Sequence, residues 1–317
     1  MEQLHSTMKI AGVDVGKKRL DAAVHGGAEE VAVDNTPAGW AELLAWLKAQ
    51  GVVRVGLEAS GGQERGVRSA AEAAGLEVVV HQPLEVRLYA KLKRIRAKND
   101  KLDAKVIAAA TAQVEAVRAA RDERLQILAD QLTAYEQTSE LIAQVKTFLE
   151  SHTSADLIAG FRAQLRSLAA AKAQLTARII EMIKAHPDLA ERYELLRSLP
   201  GFGPIVAAST LIRMPELGAM RHGQAASLIG VAPFDRDSGQ HRGQRFISGG
   251  RARPRRLLYI AALAAKRYDP DYKAFADRLR AKGKAPKVAI VAVMRKLIEA
   301  ANLVLHRGQP WLKRATT

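Results

Sequence analysis

The sequence predicts an α/β domain with the element order βββ-α-β-α-β-α, then a long helical segment, then a mostly helical, strongly basic C-terminal domain. Three observations carry this. Strand-length apolar runs separated by glycine-rich turns are confined to the first hundred or so residues. An apolar repeat every seven residues runs through Arg121–Ala185. The charge is distributed unevenly, residues 1–190 holding 25 Lys+Arg against 24 Asp+Glu and residues 191–317 holding 24 against 9. The boundaries that follow are 1–118, 119–190 and 191–317.

Residues 8–15 (MKIAGVDV) read as a buried strand, 19–25 as a second strand after the Gly16-Lys17-Lys18 turn, and 30–34 as a third. Thr36-Pro37 opens an amphipathic helix carrying Trp40, Leu43, Leu44 and Leu47, which Gly51 ends. Val52–Glu58 is a fourth strand, followed by a helix to about Ala74, a fifth strand over Leu76–His81, and a helix begun by Pro83. This is the order of a ribonuclease H-like fold, although periodicity alone leaves other α/β layouts open. Strand signals vanish from Ala104 to His186. Leu128, Tyr135, Ile142 and Leu149 recur every seven residues, as do Phe161, Leu168, Leu175 and Met182, with a break at His152–Asp156. Two long helices in an antiparallel or intermolecular coiled coil fit the pattern, weakened by Ser139, Lys146 and Lys172 in the seam; ordinary amphipathic helices on a core are the alternative. Beyond Leu195 the chain is helical with glycine-rich turns, and Phe234–Arg256 reads as a loop or short hairpin ended by Pro254 and a helix around Leu257–Tyr268.

Composition bounds the function. With 48% hydrophobic residues and 5% aromatics the 317-residue chain can build aliphatic cores for two domains. It has no cysteine, so disulfides, zinc–thiolate sites and cysteine nucleophiles are excluded. No apolar run reaches the roughly 20 residues of a membrane span, and Met1–Met8 carries no apolar leader core; the expectation is a soluble, cytoplasmic protein. The +16 net charge sits almost wholly in the last 127 residues. Such one-sidedness fits a polyanionic partner better than a charge serving solubility alone.

The candidate chemistry begins with Asp14, a carboxylate inside an apolar strand, where charge is expensive unless compensated. Glu58 ends the fourth strand, and Asp100 and Asp103 lie three apart at a helix start, on one face. In a ribonuclease H-like sheet the first and fourth strands are neighbours and the last helix crosses their ends, which gathers all four. Mutual repulsion then calls for divalent cations, Mg²⁺ or Mn²⁺, and two of them about 3.5–4 Å apart suit phosphodiester cleavage. Taken singly, Asp100 or Asp103 reads as a helix cap and Glu58 as a surface residue. Asp-x-Gly in a first strand is also the phosphate-binding opening of actin-like and sugar-kinase ATPases.

GVDVGKKRLDAAV (Gly12–Val24), VGLEASGG (Val55–Gly62) and KNDKLDAKVIAAA (Lys98–Ala110) resemble the RuvC-like domain of insertion-sequence-110 family transposases, relatives of the Piv DNA invertases. LRSLPGFGPIVAASTLI (Leu196–Ile212) and Ala226–Tyr259 resemble that family's second transposase domain, so the resemblance covers almost the whole chain. It implies an Asp-Glu-Asp-Asp metal site at Asp14, Glu58, Asp100 and Asp103, and it displaces the ATPase reading. It also implies a catalytic serine in a Ser-Gly step of the basic loop, which attacks DNA and holds it covalently; here that is Ser238. Without the resemblance Ser238 is a turn serine beside glycine. Ser248-Gly249 has the same form, and Ser238 is preferred because the family's downstream basic-glycine pattern matches Gly249–Arg256. Arg253-Pro254 stands where relatives read Gly-Asn. A serine hydroxyl needs activation, so Ser238 would fold against the carboxylate site, in its own subunit or another.

Nucleic-acid contacts are expected in three places. Leu199–Pro204 has the form of a helix-hairpin-helix, whose Gly201 and Gly203 expose N–H groups to a phosphate; a tight inter-helix turn is the plainer reading. Arg236, Arg242, Arg245, Arg251, Arg253, Arg255 and Arg256 put seven arginines within 21 residues, suited to phosphate or guanine contacts. Arg87, Lys91, Lys93, Arg94, Arg96 and Lys98 precede the Asp pair, as a strand guide or as a solvated helix face. The resemblance implies donor and target DNA as partners, a noncoding guide RNA encoded by the element, and a homo-oligomer, dimer or tetramer. The expected activity is site-specific recombination that moves an insertion element. The alternatives are a structure-specific nuclease of the Holliday-junction resolvase kind, which needs the carboxylates but not Ser238, and a non-catalytic nucleic-acid-binding protein.

Overall fold

A computed structural model describes residues 8–95, 100–115, 122–234 and 245–312, with the backbone alone for 100–102. Two compact units divide the chain, Met1–Arg121 and Asp122–Thr317.

The first unit is built on β1 (Lys9–Val15), β2 (Arg19–Val24), β3 (Glu30–Asp34), α1 (Pro37–Ala49), β4 (Val52–Glu58), α2 (Arg65–Ala73), β5 (Glu77–His81), α3 (Pro83–Leu92) and α4 (Asp100–Thr111). The sheet order is β3-β2-β1-β4-β5, with β1/β2 and β2/β3 antiparallel and β1/β4 and β4/β5 parallel. That is the adjacency expected of a ribonuclease H-like sheet. The short turn at Gly16, whose N–H donates to the Arg19 carbonyl at 2.9 Å, suffices for an antiparallel pair. Parallel pairs need crossovers, and α1 and α2 supply them. Thr36 caps α1 by accepting from the Gly39 N–H at 3.3 Å, with Pro37 in the first turn.

Strand alternation gives the sheet two unlike faces. Ala11, Val13, Val15, Val55 and Leu57 pack with Leu43 and Leu47 of α1 in an aliphatic core. The other face presents Gly12 and Gly56, and α4 lies on it. A Cβ at Gly12 would collide with backbone atoms of Ala104 and Ala108, and one at Gly56 with Thr111. These glycines let the helix seat directly on β1 and β4. Lys105 ties α4 to Glu30 of β3 at 2.6 Å, and Arg54 of β4 donates to the Val114 carbonyl just past α4 at 2.7 Å.

The second unit opens with α5 (Glu123–Ser151) and α6 (Ala155–Lys184), an antiparallel hairpin closed near its tip by the Phe148–Phe161 ring contact, centroids 5.7 Å apart. It continues with α7 (Pro187–Arg197), α8 (Pro204–Arg213), α9 (Gln224–Ile229), β6 (Pro233–Phe234), β7 (Phe246–Ile247), α10 (Ala252–Tyr268), α11 (Pro270–Ala281) and α12 (Pro286–Arg307). Only the base of the hairpin joins the core, through Leu128, Leu132, Tyr135, Ile179 and Ile183. Lys172, an odd residue for a seam, lies with Nζ 4.9 Å from the centre of the Tyr135 ring, a cation–π contact. Pro254 does not end the polar stretch as expected. Helix α10 already begins at Ala252, and Pro254 is buried in its first turn, where a missing N–H removes no helical hydrogen bond.

Candidate metal centre and nucleic-acid-facing residues

Asp14 lies on the α4 side of β1, two residues beyond Gly12, and is half-buried. Glu58 ends β4 on the same side, two beyond Gly56, and is also half-buried. Gly12 pairs with Gly56 and Val13 with Leu57, so the next step of that register sets Asp14 beside Glu58 at the end of the two strands. Asp103 is half-buried in the first turn of α4, the helix that crosses these strands. Burial raises the Glu58 carboxyl above the ordinary range, the negative charge of Asp103 raises it further, and the Arg87 guanidinium opposes both. Asp100 is the first residue of α4, and its side chain lies outside the described residues. Among the described residues no three acidic or histidine groups are gathered for metal binding.

Four further residues shape this edge, and three of them, Asp21, Glu64 and His81, carry no signal in the sequence that singled them out. Asp21 pairs with Asp14 across β1 and β2 and is buried. Arg19 occupies it, with Nε 3.1 Å from both carboxylate oxygens and Nη2 2.8 Å from Oδ1, so Asp21 is neutralised from within. Glu64 orders the turn after Glu58 by accepting from the Ser60 and Gly62 N–H groups at 3.1 and 2.9 Å and from the Ser60 hydroxyl at 3.1 Å. Burial alone would raise the Glu64 pKa, but those hydrogen bonds together lower it. His81, the β5 partner of Glu58, has Nε2 2.9 Å from Thr111 Oγ1. That hydroxyl donates to the Ile107 carbonyl at 2.7 Å, so the imidazole is the donor, and burial holds its pKa down. The fourth is Arg87, which the sequence placed only in a basic run. Its Nε donates to the Pro83 carbonyl at 3.2 Å one turn back on α3.

Asp14, Glu58 and Asp103 offer only oxygen, the donor type a hard divalent cation takes, but the described side chains are not drawn together into a three-ligand group.

The basic residues fall into classes that charge counting does not separate. Arg251 donates to the Arg213 carbonyl at 2.6 Å and binds both oxygens of Glu216 at 2.8 and 2.6 Å. Arg255 donates to the Ile229, Gly230 and Gly249 carbonyls, closing the C-terminus of α9. Both are engaged within the second unit. Arg253 and Arg256 pair with Glu136 and Glu140 of α5 at 3.2 and 3.0 Å while staying largely exposed. Arg245 is exposed; Arg236, Arg242, Arg96 and Lys98 lie outside the described residues. Lys93 and Arg94 are exposed just past α3, Arg94 in the left-handed region at φ 56°. Gly201, at φ 79°, approaches α10 so closely that a Cβ would strike the Ala261 carbonyl, which accounts for glycine there through packing. Gly203 caps α8 and faces open space. Ser238 also lies outside the described residues, while Ser248 is exposed. Strands β6 and β7, between which Ser238 lies in the sequence, pair Phe234 with Phe246 and Pro233 with Ile247.

Comparison with known proteins now bears on these positions. A family model described as a transposase, of the IS110 DEDD type, matches residues 11–154, and a second, described as transposase IS116/IS110/IS902 family, matches residues 193–277. The chain belongs to the IS110 transposase family. It is 26% identical to the pilin gene-inverting protein of Moraxella bovis over 96% of this chain and 97% of that protein, and 26% identical, with the same coverage, to the protein of that name in Moraxella lacunata. The IS900 42 kDa protein of Mycobacterium paratuberculosis matches at 33% over 36% of this chain and 29% of its own length. The RuvC structure of Thermus thermophilus aligns at 20% identity with a TM-score of 0.27, covering 32% of this chain and 92% of that one. In this IS110-family chain the first match takes in the carboxylate edge and α5, and the second runs from α7 into α11. No described helix is long and apolar enough to cross a membrane.

Proposed function

We propose that the chain is a site-specific DNA recombinase that cuts and rejoins DNA to mobilise an insertion element. The observation that carries this is the match to both transposase models, supported by the placing of Asp14 and Glu58 side by side where β1 and β4 end. Asp14, Glu58, Asp100 and Asp103 hold Mg²⁺ or Mn²⁺, which supplies Lewis-acid stabilisation of charge developing on phosphodiester oxygens. Arg19 keeps Asp21 out of that set, and Glu64 fixes the turn beside Glu58. Ser238 is the nucleophile that holds the cut strand covalently, working against a carboxylate site of its own or another subunit. Donor and target DNA are bound largely by exposed basic residues: Arg236, Arg242, Arg245, Arg253, Arg256, Lys93, Arg94, Arg96 and Lys98, with Gly203 offering an N–H at the start of α8 in the manner of a helix-hairpin-helix.

An element-encoded noncoding RNA selects the sites by pairing with both DNAs, and the basic charge serves it as well as DNA. The exposed Leu141, Phe148 and Leu157 on the distal α5–α6 hairpin favour a coiled-coil association of two or four copies.

Trapping tests the reading. Protein mixed with donor DNA and Mg²⁺ and then denatured should yield a protein–DNA adduct, and Asp14→Asn should abolish it with little loss of binding. Cleavage without an adduct would identify a nuclease in which water attacks; an unchanged adduct in Asp14→Asn would remove the metal site.

A further inference from the structure

Asp14 and Glu58 belong to different halves of the sheet edge. The β1/β4 pairing ends at Val13 and Leu57, one residue short of both carboxylates. Asp14 is paired with Asp21 of β2, and Glu58 with His81 of β5. A side chain that spans the two halves is Asn35, just past β3. Its Nδ2 donates to the Gly16 carbonyl at 2.9 Å, in the turn after Asp14, and to the Gln63 carbonyl at 3.2 Å, in the loop after Glu58. The Trp40 Nε1–H donates to its Oδ1 at 2.7 Å. An indole N–H can only donate and carbonyls can only accept, so these partners fix which way the amide points. The Asn35 backbone N–H grips the same turn a second time, at the Lys18 carbonyl, 2.9 Å away.

We propose that Asn35 is a positioning residue for the carboxylate edge, a clamp that keeps Asp14 and Glu58 side by side against their mutual repulsion. Two like charges at the ends of neighbouring strands push those ends apart, and the strand pairing stops just where the push begins. A tie between the loops that follow resists it only if each loop is stiff in itself. Both are: the Gly16 N–H donates to the Arg19 carbonyl within the turn, and Glu64 accepts from the Ser60 and Gly62 N–H groups within the loop. Trp40 seats the clamp. Its ring lies against Gly66 of α2, where a Cβ would strike it, so α1, α2 and both loops meet around one amide. That amide is neutral, so it braces the edge without altering the charge there. The proposal rests on the recombinase reading, in which those carboxylates act on DNA.

The test uses the full chain. Asn35→Leu keeps the bulk and removes all three side-chain hydrogen bonds. Amide hydrogen exchange, read by mass spectrometry without DNA, should then speed up about tenfold or more in residues 16–19 and in residues 60–65, whose amides donate within those loops. On duplex donor DNA, kcat for cleavage should fall about tenfold or more while KM stays within about twofold, because displacing a reacting group by about 1 Å costs up to a hundredfold. Trp40→Phe leaves Asn35 without its orienting donor; it should give the same pattern at smaller size, and it carries the test if the leucine variant does not fold. Thr36→Ala removes the neighbouring cap of α1 and controls for lost stability: it should lower Tm yet leave loop exchange and kcat as in wild type. Unchanged exchange, or a change in one loop alone, overturns the clamp. Faster exchange in both loops with wild-type kcat overturns the positioning role, as does an equal fall of kcat in Thr36→Ala. The two readings fail separately: a wild type that cuts no DNA sinks the recombinase, whereas the exchange measurement decides the tie whether or not DNA is cut.

Discussion

Gly12→Ala tests whether α4 must lie flat on β1 for the carboxylates to meet. The added Cβ would overlap the Ala104 carbonyl oxygen and the backbone nitrogen and Cα of Ala108. None of these atoms belongs to a side chain that can turn aside, so α4 must lift or slide. Overpacking of this kind destabilises by about 1–3 kcal/mol. At about 4 °C per kcal/mol for a unit of this size, Tm should fall roughly 4–12 °C. The shift also carries Asp103, the residue before Ala104, away from Glu58. Cleavage should therefore drop further than the unfolded fraction explains, while duplex binding through the second unit survives. Gly160→Ala is the control: Gly160 sits inside α6 with nothing near its Cβ position, so alanine there should stabilise by about 0.5–1 kcal/mol. Thermal melts beside a cleavage assay at a temperature where both variants are folded decide the matter. Wild-type Tm and cleavage in Gly12→Ala would refute the argument that the two glycines set the carboxylate geometry.

Three more predictions bear on the sites. Because the folded pKa of Glu58 lies above its ordinary value of 4.5, its contribution to stability is present below that value and is lost as pH rises through the folded pKa; Glu58→Gln should raise the Tm of metal-free protein at pH 7, leave it unchanged near pH 4, and remove any stabilisation by Mg²⁺, and a lower Tm at pH 7 would reverse the sign. Arg255→Ala strips the α9 terminus of a charged donor and should destabilise by about 1.5–3 kcal/mol in denaturant melts. Arg256→Ala should change stability by under about 0.5 kcal/mol yet lower the log–log salt dependence of DNA binding by about 0.9; equal behaviour of the two arginine variants would collapse the distinction. Ser238→Ala should abolish recombination and the covalent adduct while binding persists, with Ser248→Ala mild by comparison; the opposite pattern in one recombination assay would move the nucleophile.

Much of the first unit was legible because its signals are local. Alternating apolar runs, the Gly16 turn and the Thr36-Pro37 helix start are written within a few residues of where they act. Asp14 stood out because a carboxylate inside an apolar strand is costly wherever the strand goes. What the sequence did not disclose depends on distant partners. Gly12 and Gly56 look like strand glycines until α4 covers them. Asp21 is inconspicuous in the sequence, and only the fold shows it paired with Asp14 across β1 and β2 and held at both oxygens by Arg19, two residues back on the same face. Gly201 has a second reason for being glycine, the close approach of α10, that the sequence does not show.

The arginine-rich stretch shows how one misplaced boundary spreads. With the helix started near Leu257, Arg251 to Arg256 read as a flexible basic loop and every guanidinium is free to meet a phosphate. With α10 started at Ala252, helical spacing sorts them. Arg251 and Arg255 are four apart, on one face, and both turn inward to Glu216 and to the α9 carbonyls. Arg253 and Arg256 are three apart on another face, and both meet carboxylates of α5 that are themselves one turn apart, Glu136 and Glu140. Net charge counts these four alike, but only the second pair is exposed enough to exchange its carboxylates for phosphates. The Arg256–Glu140 pair is exposed on both sides and weak, so its exchange is nearly neutral in the protein's own stability, whereas the shielded Glu136 keeps Arg213 when Arg253 leaves. Binding strength in this region should therefore follow the solvent-facing arginines rather than the total.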